Sequence, residues 1–356
     1  MTDQSKIIVR PMKDGEQKEL VRIGRRAFRL MEALFVGAPK SAMVAEYDRK
    51  VVGSIFYKPI TAQDKKAVYI EQAFVDPDYS GRGIGQILYA QTFDFLWKQG
   101  YDVITALVKD DNVGSWKLFE ANECKRVSYG QIISELGLSG FLRLYMTTPF
   151  LFAVGMDLYM ANRADTVREK SSTAMGATAF FLANIFLLAP LWVRCFSKGL
   201  YELLWPLLSY LTVLLLFLGG RGLGNFLCGN AGKFRLNNGG SFLSLLLSFW
   251  GNTFPMNANW YPETYENTKE FRKKLAKPEL LKWAIFVVVP FVSSIWEEHP
   301  YWSILSRLAS FFLIFMMIPV YPFESFGGGR VYRYDKKIWL LTAMVSIITI
   351  ICHFLV

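Results

Sequence analysis

Ser80-Gly81-Arg82-Gly83-Ile84-Gly85-Gln86 is the stretch whose residue types and spacing could do chemistry. Glycines at every second position let backbone N–H groups converge with no side chains in the way. Ile84, Ile87, Leu88, Gln91, Phe95 and Leu96 follow close to a three-four spacing, and Gly100 comes after Lys98, which predicts a helix over Ile84–Lys98. A glycine turn at a helix N-terminus offers unpaired N–H donors and the positive end of the helix dipole, which together suit a phosphate. The same glycines fit a tight strand-to-helix connection equally well, so the turn alone decides nothing. Metal chemistry has little to work with: the histidines are His299 and His353, and Cys124, Cys195, Cys228 and Cys352 form no CxxC pair. Neither a zinc site nor a disulfide framework is expected, which suits a reducing compartment for the soluble part.

The turn must be positioned by its neighbours. Ala67–Val75 reads as a strand that Pro77 and Asp78 stop. Upstream, Lys6–Arg10 reads as a strand and Lys13–Leu30 as a helix, and Ala42–Tyr47 with Val51–Pro59 reads as a hairpin around Asp48-Arg49-Lys50. Downstream come a strand at Tyr101–Val108, then Asp110-Asp111-Asn112, a helix at Val113–Ala121 and a last strand at Glu123–Ile133. The order β, α, β-β-β, α, β, α, β predicts an α+β domain over residues 1–135, a mixed sheet flanked by helices. Met1–Arg10 is polar and then strand-like, so no secretory signal is expected there.

Residues 136–172 read as an interfacial amphipathic segment, Leu136–Tyr159 with Arg143, Pro149 and Asp157, followed by a basic linker carrying Arg163, Arg168 and Lys170. Residues 173–356 read as an all-α polytopic transmembrane domain of about five spans. These are Ala174–Val193, Leu200–Leu218, Leu281–Trp296, Ile304–Tyr321 and Ile338–Val356, with Ser241–Trp250 as a re-entrant segment. Basic groups cluster at Arg221, Lys233 and Arg235, at Lys269 to Lys282, and at Arg330 to Lys337, whereas Glu297-Glu298 is acidic. With the N-terminal domain cytoplasmic, the basic loops fall inside, and Glu297-Glu298 and the C-terminus fall outside. The net charge of +10 is then accounted for by loops at a membrane, without nucleic acid as a partner.

Residues 6–133 resemble the GNAT acetyltransferase superfamily. The strand end Phe74-Val75-Asp76-Pro77, the turn Ser80-Gly81-Arg82-Gly83-Ile84-Gly85, the strand Val103–Val108 and the helix Asn112-Val113-Gly114-Ser115-Trp116-Lys117-Leu118-Phe119 stand in the family's order. Ser80 stands where the family has Gln or Arg. The resemblance implies that backbone N–H groups of Arg82, Gly83, Ile84, Gly85 and Gln86 hold the pyrophosphate of acetyl-CoA. It implies that Phe74 and Val75 pair with the pantetheine amides and polarise the thioester carbonyl. Asn112 would contact cofactor, or equally cap the helix that follows it. Phe119 takes the place of the family's tyrosine acid, leaving the acid role to Tyr129, to Tyr89 or to water. Glu71 lies where the family often places the base that takes a proton from the amine.

Residues 200–356 resemble a degenerate intramembrane metalloprotease of the site-2 type. The carriers are Lys233-Phe234-Arg235-Leu236, Pro319, Pro322-Phe323, Gly327-Gly328-Gly329-Arg330-Val331 and Lys336-Lys337-Ile338-Trp339. Gly219-Gly220-Arg221 or Gly222-Leu223-Gly224-Asn225 stands where the His-Glu pair belongs, and Gly327 where the aspartate belongs. Neither zinc nor proteolysis is expected. The two resemblances together predict a multi-pass, bilayer-embedded N-acetyltransferase that moves an acetyl group from acetyl-CoA to an amine, which the membrane half could present. The alternative is a non-catalytic acyl-CoA sensor or scaffold, for which Ser80 and Phe119 speak.

Overall fold

The structure is a computed structural model that describes residues 6–355 apart from 29, 63–64, 110–111, 149–153, 165–166, 168–171, 264, 267 and 322. Asp110, Asp111, Pro149, Arg168, Lys170, Pro322 and Val356, named above, lie outside the described residues. The chain divides into two compact units, residues 1–151 with 156–170, and residues 152–155 with 171–356.

Unit 1 contains β1 (Ile7–Pro11), α1 (Gln17–Ala27), α2 (Leu30–Ala33), β2 (Ala42–Tyr47), β3 (Lys50–Thr61) and β4 (Lys66–Val75). It continues through α3 (Ile84–Lys98), β5 (Val103–Lys109), α4 (Val113–Ala121), β6 (Lys125–Arg126), α5 (Tyr129–Thr147) and β7 (Met156–Asn162). The strands form one mixed sheet in the order β1-β2-β3-β4-β5-β7-β6, in which β4 and β5 run parallel. The β2–β3 hairpin turns through Asp48 and Arg49, both at positive φ, as a two-residue turn between Tyr47 and Lys50 requires. Ile84, Leu88, Phe93 and Leu96 of α3 are buried with Val68, Ile70, Ile104 and Phe119 on one side of the sheet. Leu20 and Ile23 of α1 pack with Phe56 and Phe74.

One strand expected here is shorter than expected, and the segment that follows it divides in two. The strand expected over Glu123–Ile133 is only β6, because Ser128 starts a capping box with Gln131 and the chain turns helical at Tyr129. The segment read as interfacial from Leu136 to Tyr159 is instead divided between α5 and β7, and β7 lies inside the sheet between β5 and β6. Leu158, Met160 and Ala161 of β7 are buried, which explains their apolar run without a bilayer.

Unit 2 contains α6 (Thr173–Leu187), α7 (Ala189–Phe196), α8 (Leu200–Leu227), β8 (Gly232–Leu236), α9 (Ser241–Phe249) and β9 (Ala258–Pro262). It ends with α10 (Lys269–Ser294), α11 (Pro300–Met317), α12 (Gly328–Tyr334) and α13 (Lys336–Leu355). Among the described residues three helical segments are long and apolar enough to cross a membrane: Leu200–Leu227, Pro300–Met317 and Lys336–His353. The number rises to four if α6 and α7, bent by 54° at their junction, count as one. The expectation of about five spans is therefore too high. Leu281–Trp296 belongs to α10, where Glu279 and Lys282 are charged and the apolar run from Trp283 to Ser294 is short. Such a run rises about 18 Å, well short of a hydrocarbon core of about 30 Å. Ser241–Trp250, read as re-entrant, holds the short helix α9.

The core of unit 2 surrounds a knot of charges. Glu279 receives Arg221 Nε at 2.9 Å, Lys282 Nζ at 2.7 Å and Arg330 Nη1 at 3.3 Å. Arg221 also donates to the carbonyls of Ala258 and Ser325, Lys282 to that of Phe326 and Arg330 to that of Trp260. Arg221, Glu279 and Lys282 are almost wholly inaccessible, and the Phe217 ring lies under Arg221 and Lys282 at 4.8 and 4.2 Å. Gly327 borders the knot, since a Cβ there would stand 2.5 Å from Glu279 Oε2.

Close backbone approach fixes α6 against β8. A Cβ on Gly176 would meet the Phe234 carbonyl oxygen at 2.0 Å, and backbone cannot yield as a flexible side chain can. Gly176→Ala is expected to destabilise the protein by about 3 kcal/mol, at the upper end of overpacking effects. A thermal unfolding midpoint equal to the parent's would mean that α6 can shift without loss.

Candidate functional site

The sheet of unit 1 opens where β4 and β5 part. Their parallel pairing runs from Ala67↔Val103 to Ile70↔Ala106 and stops. Beyond that point β5 stays paired to β7 as far as Lys109↔Met156, and β4 stays paired to β3 as far as Val75↔Gly53. The residues from Glu71 to Val75 thus keep one edge that β5 does not fill.

A bulge causes the parting. Phe56 pairs with Gln72 and Tyr57 with Ile70, so Glu71 is the extra residue on β4. A bulge bends its strand and adds local twist, which turns the following residues away from the neighbour. The Thr105 hydroxyl donates to the Val68 carbonyl at 3.2 Å, holding the paired half closed. Backbone N–H and C=O groups left along such an edge are strong and need partners.

β4 leads directly into the glycine turn. The Asp76 side chain accepts the Asp78 N–H at 3.1 Å, and Pro77–Tyr79 forms one 3-10 turn. Gly81 and Gly83 then take φ of +75° and +78°, a region that disfavours any side chain. Gly83 is the N-cap of α3 and supplies no side-chain cap. Ile84, Gly85 and Gln86 form the first turn of α3, where N–H groups have no acceptor within the helix. Ile84 is buried and anchors the helix, while Gly85 packs close to Leu118 and Val75. The Arg82 guanidinium lies over the Tyr79 ring at 5.0 Å, so its side chain is engaged and its backbone is what the turn presents. An uncapped helix N-terminus, preceded by two left-handed glycines and adjoining an open strand edge, fits a phosphorylated ligand with an amide-bearing tail.

The remaining expected site residues are placed as follows. The Phe74 ring is buried against Phe56 at 5.2 Å and Phe28 at 6.0 Å, so only its backbone lies along the open edge. Val75 is half-buried beside Gly85. Glu71 is paired with Lys58. Asn112 Oδ1 accepts the Ser115 N–H at 3.2 Å and caps α4. Phe119 is buried, with the Tyr89 ring 5.0 Å away and those of Phe93 and Tyr159 each 6.3 Å away. Burial pushes the pKa of Tyr89 well above the usual tyrosine value, keeping it neutral. Tyr129 starts α5, and its ring packs edge-on against Phe141 at 5.9 Å, in a different apolar cluster from Phe119. The structure therefore brings Tyr89, and not Tyr129, to Phe119.

Sequence reasoning missed the bulge, although a signal exists. Val68 and Ile70 share one face with Ala73 and Val75, so the parity of the core-facing positions switches across Glu71-Gln72. It also missed α2 and the residues after it, where the Glu32 carboxylate pairs with Lys109 at 2.7 Å and the Phe35 carbonyl accepts from Gln72 at 2.9 Å. If capping is the whole role of Asn112, Asn112→Ala should cost about 1 kcal/mol of stability. Binding of CoA, measured by calorimetry, should then be unchanged, and a marked loss of affinity would assign Asn112 to the ligand.

Solved structures similar to part of this chain include the ribosomal-protein-S18-alanine N-acetyltransferase from Escherichia coli, 14% identical over 46% of this chain and 99% of that one, with a TM-score of 0.32. Arabidopsis thaliana Naa50, in complex with the bisubstrate analogue CoA-Ac-MVNAL, is 16% identical over 44% of this chain and 99% of its own, also with a TM-score of 0.32. N-acetylglutamate synthase from Neisseria gonorrhoeae, complexed with coenzyme A and N-acetyl-glutamate, is 18% identical over 46% of this chain and 35% of that one, again with a TM-score of 0.32. No curated protein matches the sequence. Residues 10–122 match the acetyltransferase (GNAT) family, and this part of the chain is a GNAT acetyltransferase domain.

Proposed function

We propose that the protein is a membrane-embedded N-acetyltransferase that moves an acetyl group from acetyl-CoA to an amine on the cytoplasmic side. The observation that carries this reading is the open edge of β4 from Glu71 to Val75, continuous with the uncapped N-terminus of α3. Acetyl-CoA supplies an activated thioester that an amine can attack directly. The backbone N–H groups of Arg82, Gly83, Ile84, Gly85 and Gln86 bind its pyrophosphate, and the open edge at Phe74 and Val75 orients the tail and polarises the carbonyl. Glu71, at the bulge, takes the proton of the amine directly or through water, and its ion pair with Lys58 sets its direction. With a phenyl ring at position 119, the leaving group takes its proton from Tyr89 or from solvent. A Tyr89→Phe variant with full turnover would assign that step to solvent.

Three helical segments among the described residues, long and apolar enough to span, support the membrane assignment. One observation favours a second reading, a CoA-binding sensor without turnover: Phe119 fills the place of the family acid and is locked among rings. Purified full-length protein separates the two. CoA should raise the unfolding midpoint, and acetyl-CoA with a panel of amines should release free thiol. Stabilisation without thiol release on any amine would favour the sensor, and no stabilisation by CoA would overturn both readings.

A further inference from the structure

Unit 1 buries its large apolar side chains with few exceptions. Among its described residues the exposed ones are Ile8, Leu34, Phe35, Leu138, Leu142 and Met146. Three of the six stand on α5, at successive spacings of four, and so form one stripe along the helix. The opposite face of α5 carries Ile132, Leu136, Gly140 and Leu144 into the core with Ile60 and Ala62.

The outer face is held in place. Gly137, at φ +68°, interrupts the helix and re-aims its second stretch. Gly140 allows that stretch to lie tight on Ala62, whose Cβ is 2.9 Å from where a Gly140 Cβ would stand, and Arg143 donates to the Thr61 carbonyl at 3.0 Å. The exposed residues of this stretch are Leu138, Ser139, Leu142, Arg143, Met146 and Thr147. They combine an apolar stripe with one cation and no carboxylate.

Val154, seven positions after Thr147, is buried in the core of unit 2, the unit that carries the candidate spans. Seven residues reach at most about 25 Å. A rigid apolar stripe on a chain that continues into the candidate spans, with arginine at its rim, has the chemistry of an interfacial helix on anionic lipid.

We propose that the outer face of α5, Leu138, Leu142 and Met146 with Arg143, lies in the interface of the lipid bilayer and holds unit 1 to the membrane surface. This docking is independent of the chemistry at the β4–β5 opening.

The test uses full-length protein in which Cys195, Cys228 and Cys352 are replaced by serine and buried Cys124 is kept. A single cysteine is introduced as Leu138→Cys, Leu142→Cys or Met146→Cys, or as Asp94→Cys on the exposed face of α3 for reference, and carries an environment-sensitive fluorophore. The labelled protein is placed in vesicles of phosphatidylcholine and phosphatidylserine. Brominated lipid should quench the α5 labels about threefold more than the Asp94→Cys label, and aqueous iodide about threefold less. Equal quenching at both locations would put the stripe in water and overturn the proposal. Protection from both quenchers would show protein over the stripe, unit 2 or a second copy, and would overturn it as well.

Discussion

Glu279→Gln should unfold unit 2 at markedly lower temperature or denaturant than the parent, with a loss of about 3–5 kcal/mol. Three cations converge on this one carboxylate: Arg221 from α8, Lys282 from the next turn of α10, and Arg330 from α12. All are buried among apolar side chains, where the self-energy of an unpaired charge is large. Removing the negative charge leaves their mutual repulsion with only carbonyl dipoles and the Phe217 ring to oppose it. The same residues tie α8, α10, α12 and β9 together, so the loss spreads through the bundle. Unfolding of purified protein in detergent is the measurement, with Glu297→Gln on an exposed segment as a control expected within about 0.5 kcal/mol of the parent. A Glu279→Gln midpoint equal to that of the control would mean that the carbonyls alone hold the cations.

Gly83→Val should lower the affinity for CoA by about 100-fold. Two effects combine at this position. The φ of +78° is strained for a β-branched residue, at about 1–2 kcal/mol, so the turn would relax toward another conformation. That relaxation withdraws the N–H groups at the start of α3. Together these approach the 2.8 kcal/mol or so that a hundredfold change requires. Titration calorimetry with CoA checks the affinity. A circular dichroism spectrum matching the parent's would show that α3 still forms, since Ile84 and Leu88 anchor it below the turn. Parental affinity in a folded Gly83→Val protein would remove the phosphate role from the turn.

Much of unit 1 was legible because its signals are local. The apolar spacing from Ile84 marks α3, with the glycines immediately before it, and the structure starts the helix at that residue. The cap at Asn112 and the hairpin at Asp48-Arg49 follow from neighbouring residues in the same way. The bulge at Glu71 was written in a switch of parity along β4, but its effect on β5 depends on a strand more than thirty residues away. The ring of Tyr129 lies against Phe141 because the capping box at Ser128 turns the chain helical there, a consequence of tertiary packing that residue type does not show.

Unit 2 was harder to read for a physical reason. Hydropathy measures side chains singly, whereas Glu279 is satisfied by Arg221 and Arg330 from other helices as well as by Lys282 on its own. The same blindness makes the apolar residues of β7 resemble a membrane segment, although strands on both sides bury them.

The sequence by itself determined the glycine turn, the order of elements through α4 apart from the short α2, and the apolar character of the second half, each a matter of short-range pattern. Only the tertiary structure decided that β4 and β5 part beside the turn, that Tyr89 meets Phe119 and that Glu279 gathers three cations. These depend on pairing between distant segments, and the free energy of a contact belongs to both partners at once.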